Sequence, residues 1–340
     1  MIATRRQASS PADERAPGPD VEIRAGYRRF AGYSTRVLEV GPRPVERPAG
    51  RRHRKRNAAL PPEPRLVLLH GYCDSADTWR PALAELARAG VSAIALDLPG
   101  FGDASALRSG AMLPQLDAFT AAVVKEQAAL GDVVLVGNSL GGTMSLRAAQ
   151  NPDLPVAGVV SIAAPGFVDT WLIRSVARYP LPLRLAASLP LPVPGFVVRA
   201  VAQHVVPRLL YADATKAEAE HVQRFLDLFP DYRSTTTRFE QARQLVGELA
   251  TAYELDRIST PLLIIACGRD RLVSAASGKQ LHALVPHSRL LVREDWGHCP
   301  QLDDPETLAS VLSYFTTSAA RRRDGSASAA PSPTAVGAAG

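Results

Sequence analysis

The 340-residue chain has only three cysteines, Cys73, Cys267 and Cys299, and none sits in a C-x-x-C pair. That spacing suggests no disulfide framework, and the expectation is a reducing, cytoplasmic setting. No apolar run approaches the ~18 uncharged residues of a membrane-spanning helix, so no membrane span is expected. The first twenty residues, Met1 to Asp20, mix arginines, acids and prolines without the apolar centre of a secretory signal. Acidic and Cys/His clusters at metal-ligand spacing are missing, and no glycine-rich phosphate loop follows the first strand. No cofactor and no metal are implied.

An excess of positive charge is missing everywhere but one place. Between Arg43 and Arg56 seven basic residues accompany the single acid Glu46, which accounts for the whole net charge of +6. The rest of the chain is neutral overall, so its body is not a nucleic-acid-seeking surface. Nothing aromatic is interleaved with Arg51, Arg52, Arg54, Lys55 and Arg56. Base stacking is therefore not supported, and the cluster reads as a solvated loop, with an anionic-surface tether as the alternative.

What is present is an alternation of short branched-apolar runs with helical patterns. With 46% hydrophobic residues the chain can bury one large core or a core with an attached subdomain. Residues 1–20 are polar and aperiodic and are expected to be disordered. Two strand-like pieces, within Val21–Phe30 and over Thr35–Val40, suit a hairpin turning at Gly32 and Ser34. A basic, Pro-rich loop follows over 42–64. Further strands are predicted at Arg65–Gly71, Val91–Asp97, Val133–Val136, Val156–Ala164, Pro261–Gly268 and Arg289–Val292. Helices are predicted over Pro81–Ala89, around Leu116, Phe119 and Val123, over Ser274–Val285, and after the N-cap Asp304 with Pro305 in the first turn. Strands and helices in such alternation make an α/β fold, a mostly parallel sheet with helices on both faces. The Ala/Ser/Pro-rich tail, 317–340, is expected to be disordered.

The chemistry concentrates at Gly137-Asn138-Ser139-Leu140-Gly141. This G-x-S-x-G turn follows a buried strand and opens a helix, the context in which a serine hydroxyl is thrust out at a sharp bend. A serine needs a base to become a nucleophile, and the base needs an acceptor to hold its tautomer. His298, in the Gly- and Pro-shaped loop Asp295–Pro300, is the candidate base. Asp270, just after the strand ending at Gly268, is the candidate acid, with Asp169 as the alternative. All lie after strands, at the sheet edge where open α/β sheets place their ligands. The order Ser139, Asp270, His298 is the one that accompanies such an elbow.

On these residues the chain resembles the α/β-hydrolase superfamily from about residue 21 to 316. His70-Gly71-Tyr72 looks like the oxyanion loop of that family, which implies that the backbone N–H groups of Tyr72 and Leu140 hold the oxyanion. Asp97-Leu98-Pro99-Gly100-Phe101-Gly102 resembles its D-x-P-G-x-G turn, with Ala104 at the usual serine position and Ser105 one place late. Gly297-His298-Cys299-Pro300 looks like its histidine loop, with Asp303 read as structural, His70 as a loop anchor and Cys299 as inert.

The resemblance implies a helical cap over 166–255, inserted between core segments 21–165 and 256–316. Its expected helices carry Val168, Trp171, Leu172 and Val176; then Val222, Phe225, Leu226 and Phe229 behind a Thr215-x-x-Glu218 capping box; then Phe239, Ala242, Val246, Leu249 and Tyr253. Between the first two lies a proline-dense stretch ending at Pro194, read as a kinked connection. The expected function is cofactor-independent hydrolysis of a carboxylic ester, or a related acyl compound with an apolar acyl group, through an acyl-enzyme. The partner is a small-molecule substrate. The alternatives are carbon–carbon bond hydrolysis of ring-cleavage products, perhydrolysis or acyl transfer on the same triad, and a catalytically silent scaffold. Cap arginines Arg174, Arg178 and Arg184 are the candidates to meet an anionic substrate.

Overall fold

A computed structural model of the chain describes residues 22–41, 64–177, 194–227 and 231–323. The N-terminal 20 residues, nearly all of the basic loop 42–64, most of the proline-dense run, Phe229 and the chain beyond 323 lie outside the described residues.

Eight strands form one sheet: β1 Arg24–Phe30, β2 Tyr33–Val40, β3 Arg65–Leu69, β4 Ser92–Leu96, β5 Val133–Asn138, β6 Val156–Ile162, β7 Leu262–Cys267 and β8 Arg289–Arg293. Their spatial order is β1-β2-β4-β3-β5-β6-β7-β8. β1 and β2 form an antiparallel hairpin, β2 runs antiparallel to β4, and β3 to β8 are parallel. The hairpin turns at Ala31 and Gly32, both left-handed at φ 48° and 84°. Such a two-residue turn follows the twist of the strands. It comes earlier than the sequence suggests, leaving Ser34 inside β2.

Every residue of β3, β4 and β5 is buried, as expected for central parallel strands covered on both faces. Alternate residues feed two cores. Val67, Leu69 and Leu135 pack with Leu116, Phe119 and Val123 of α2 (Met112–Ala128). Leu66, Leu68, Val134 and Val136 face α1 (Arg80–Arg88) and the C-terminal helix. The remaining core helices are α3 Leu140–Ala149, α8 Ala275–Leu284, the short α9 Pro300–Asp303 and α10 Pro305–Arg323. Asp304 caps α10, its Oδ1 accepting from Thr307 N at 3.1 Å.

α10 continues to Arg323, past the boundary expected near 316. Phe315 and Ala319 are buried over Gly158, where an added Cβ would come within 3.1 and 3.2 Å of them. An Ala-rich segment that reads as disordered from composition is a good helix former once one face finds a surface.

Among the described residues, four helices lie between β6 and β7: α4 Trp171–Ala177, α5 Gly195–Leu210, α6 Ala219–Asp227 and α7 Tyr232–Leu249. Three details differ from the sequence reading. α4 turns Trp171 outward at 71% exposure and sends Ile173 inward. Thr215 does not cap α6; the Asp213 carboxylate takes the Thr215 N–H at 3.0 Å and a short 3₁₀ turn intervenes. α5 follows the proline-dense stretch, and the sequence reading assigns no element to it. Yet Pro194 is its N-cap and Pro207 sits in its last turn, so the prolines bracket the helix rather than break it.

α7 ties this unit to the core. The Glu248 carboxylate accepts from Met112 N and Leu113 N at 2.8 and 2.7 Å, capping α2 from outside. Arg238 donates to the Gly100 carbonyl at 3.3 Å, and its own carbonyl accepts from the Tyr72 hydroxyl at 2.5 Å.

Candidate active site

Ser139 stands between β5 and α3 at φ 55°, ψ −115°. Such a conformation costs a side-chain-bearing residue roughly 1–3 kcal/mol. Packing holds it there: Ser139 N donates to the Ile162 carbonyl at 2.8 Å, and the Ser139 carbonyl accepts from Thr143 N at 3.0 Å. The flanking glycines are required by close approach. A Cβ on Gly137 would lie 2.0 Å from Gly141 backbone, and one on Gly141 2.1 Å from the Leu69 carbonyl oxygen. Ser139→Gly is therefore expected to raise the melting temperature slightly, by about 1–2 °C, while abolishing turnover; an unchanged or lowered Tm in calorimetry would count against stored strain.

His298 is 4% exposed, and its Nδ1 lies 2.8 Å from Asp270 Oδ2. The Asp270 side chain is fully buried, and its other oxygen accepts from Leu272 N and Val273 N at 2.7 and 2.8 Å. That arrangement assigns the His298 proton to Nδ1 and leaves Nε2 as the free acceptor. Asp169 is exposed and has no bond to His298. Of the two candidate acids, Asp270 is the one brought to the imidazole.

The histidine loop is bolted to the elbow by Asn138, a role that sequence reading missed. Its Nδ2 donates to the His298 carbonyl at 2.8 Å, and its Oδ1 accepts from Gln301 Nε2 at 3.3 Å and weakly from Cys299 Sγ at 3.6 Å. No local signal marks Gln301, because its partners Thr78 and Asn138 are remote in sequence. Asp303 holds the other side of the loop, accepting from Gly297 N at 2.7 Å and Ala212 N at 3.0 Å.

His70 is a loop anchor. Nδ1 donates to the Gly71 carbonyl at 2.7 Å and Nε2 accepts from Leu98 N at 2.8 Å, so both ring nitrogens are used and burial lowers the pKa. Burial likewise pushes the Cys299 thiol well above its ordinary value, away from the thiolate a nucleophile needs. Ser105 replaces the missing serine of the D-x-P-G-x-G turn, its Oγ accepting from Ser34 N at 3.0 Å.

Ser139 and His298 line one cavity of about 200 Å³. Tyr72 enters its wall from the loop after β3; a Cβ on the preceding Gly71 would sit 3.4 Å from the Ser139 Cβ. Leu140 opens α3, so its N–H belongs to the first turn, which has no intrahelical acceptor. The roof is apolar: Ile173 of α4, Leu210 of α5, Phe225 of α6, and Ala242, Val246 and Leu249 of α7. Phe239 instead faces outward, and Tyr253 lies beyond α7, bonded to Thr143 and the Pro165 carbonyl. Among the described residues the lining contains no lysine or arginine; Arg174 is exposed elsewhere, and Arg178 and Arg184 lie outside the described residues. No group of described residues has the makings of a metal site, and no described helix is long and apolar enough to cross a membrane.

Residues 64–305 match the family model described as "alpha/beta hydrolase fold". The chain belongs to the alpha/beta hydrolase fold family. Among curated alpha/beta hydrolase relatives, an esterase of Mycobacterium tuberculosis (strain ATCC 25618 / H37Rv) is 28% identical over 263 residues, covering 73% of this chain and 81% of its own. A pimeloyl-[acyl-carrier protein] methyl ester esterase of Aromatoleum aromaticum is 29% identical over 269 residues, covering 73% and 96%. Among solved structures, a thermophilic esterase from Thermogutta terrifontis superposes with a TM-score of 0.61 at 17% identity, over 87% of this chain and 99% of that one. This last likeness speaks to the fold.

Proposed function

We propose that this alpha/beta hydrolase cleaves carboxylic esters with an apolar acyl group through a serine-bound acyl-enzyme, without a cofactor. Ser139 Oγ attacks the carbonyl carbon while His298 Nε2 takes its proton. Asp270 holds the Nδ1–H tautomer and balances the imidazolium that forms. The N–H groups of Tyr72 and Leu140 receive the oxyanion; one such donor is worth ~3 kcal/mol in a site shielded from water. The observation that carries the reading is the buried Asp270 carboxylate bonded to His298 in the wall of the cavity that Ser139 also lines. The ester-cleaving relatives support the same bond type.

Carbon–carbon hydrolysis of ring-cleavage products would call for a cation facing the substrate's carboxylate. The described lining lacks one, which favours the apolar ester.

The acyl preference is the test. Each buried methylene contributes ~0.8 kcal/mol, so kcat/KM for p-nitrophenyl esters is expected to climb a few fold per carbon from acetyl to medium-length acyl groups, then level off. A preference for acetate, or turnover confined to anionic ring-cleavage diketones, would overturn the assignment; the second result would install the carbon–carbon reading.

A further inference from the structure

The larger cavity near the sheet edge, about 310 Å³, is not the one containing Ser139. The two are neighbours, since Asp74 and Phe225 stand in the walls of both. Their chemistry differs sharply. The Ser139 cavity is mostly apolar, whereas the second is walled by Arg36, Ser75, Asp77, Thr78, His221 and Arg224.

Its arginines are already matched by carboxylates. Arg36 donates to Asp77 at 2.6 Å and to Asp97 at 3.0 Å, and Asp77 also accepts from Arg80 at 2.6 Å. Arg224 Nη2 pairs with Glu220, and Asp227 lies 3.3 Å from Arg199. Burial lowers the His221 pKa and pushes Asp74 up to about 8, so neither is predominantly charged at neutral pH. Asp103, 57% exposed in the same wall, lies 3.4 Å from an Arg36 that already serves two other carboxylates, so what remains is hydrogen-bonding capacity with no surplus of positive charge. The Ser75 hydroxyl is engaged with Asp77 at 3.4 Å, and the Thr78 hydroxyl accepts from Gln301 at 3.2 Å and bonds Asp74, which leaves each hydroxyl one acceptor lone pair for a guest. Among the described residues the buried Arg224 Nη1 has no hydrogen-bond partner, Asp77 Oδ1 being 3.7 Å away. A wall of this kind solvates hydroxyl groups, but offers an anion no counter-charge to repay its desolvation.

We infer that this cavity receives the leaving group of the substrate, a neutral alcohol bearing several hydroxyls such as a glyceryl or sugar moiety, while the acyl group occupies the apolar cavity beside Ser139. The inference rests on the ester-hydrolase reading. Asp74 lies two residues beyond Tyr72 and on the boundary between the cavities, so the scissile bond would straddle that boundary. The Ser139 Oγ–acyl bond forms first, placing the carbonyl electron pair on the oxyanion, and the collapse of that intermediate breaks the bond from acyl carbon to alcohol oxygen. The proton that His298 took from Ser139 passes to the departing alcohol. Water then cleaves the acyl-enzyme, releasing the acid and restoring the hydroxyl.

The test compares 1-octanoylglycerol with methyl octanoate, identical in acyl group, on the full chain. The ratio of their kcat/KM values is expected to favour the glyceryl ester by about tenfold, equivalent to ~1.4 kcal/mol. In Arg224→Gln that ratio should collapse toward one, mainly through KM, and Arg224→Lys should restore part of it; unchanged melting temperatures establish that the variants are folded. A ratio near one in the wild-type chain, a ratio untouched by Arg224→Gln, or a preference for the cationic choline ester over the glyceryl ester would overturn the inference. Calorimetric binding to Ser139→Ala separates the two readings. Absence of turnover of any ester would remove the hydrolase function. About tenfold tighter binding of 1-octanoylglycerol than methyl octanoate, lost on adding Arg224→Gln, would still support the polyol site, and equal binding would sink it.

Discussion

Ser139→Ala is expected to lower kcat for p-nitrophenyl esters by about 10³- to 10⁶-fold with the fold intact. The substitution deletes only Oγ. The backbone bonds from Ser139 N to Ile162 and from Thr143 N to the Ser139 carbonyl do not use the side chain. The methyl that remains still occupies the strained φ, so neither the elbow nor the cavity should collapse. What disappears is the covalent route, leaving whatever the oxyanion donors and substrate positioning achieve with water. A fluorophosphonate probe should add its mass to the wild-type chain at Ser139 and leave the variant unmodified. Labelling that survives the substitution would place the nucleophile elsewhere and remove the proposed function.

Asp270→Asn is expected to cost about 10⁴ in kcat while sparing KM, because it corrupts a tautomer rather than a surface. Asparagine can keep its oxygen on Leu272 N and Val273 N, the two bonds that order the loop. Its amide then turns an N–H toward His298 Nδ1, where the carboxylate oxygen lay at 2.8 Å. Nδ1 must now accept, the proton moves to Nε2, and the nitrogen meant to deprotonate Ser139 has no lone pair to offer. Steady-state kinetics of Asp270→Asn beside Asp169→Asn decide the point. Asp169 is exposed, and its variant should stay within about twofold of the parent. If Asp169→Asn proves the crippling change, the third member of the triad has been misassigned.

The parts of the site that were legible in advance are those written into contiguous residues. The elbow could be read because a branched strand, two close-packed glycines and a helix start occupy one short segment. The roles of His70, Asp303 and Cys299 followed from their loops. Asp270 could be preferred over Asp169 in the sequence, but both follow strands, and only the fold says which carboxylate reaches the imidazole. Asn138 drew attention as part of the elbow motif, but its work of clamping the histidine loop depends on a residue 160 positions away. The inserted helices were the least legible. Amphipathic spacing finds a helix but not which side meets the core, and so Trp171 was placed on the packed face while Ile173 took it. α5 escaped notice because its valines favour strands, and the prolines at its ends look like breakers until the helix boundaries are known.

By itself the sequence determined the alternating strand and helix pattern and the serine turn, and nominated Ser139, Asp270 and His298 in that order. These depend on side-chain periodicity and on glycines within a few residues of one another, where local sterics decide. Only the tertiary structure decided the acid that reaches His298, the face each inserted helix turns inward, and the split of the space beneath them into an apolar chamber and a polar one. Those outcomes rest on residues far apart in the chain, such as Phe225 and Asp74, whose effect on a bound molecule exists only once packing has brought them to the walls of the same cavities.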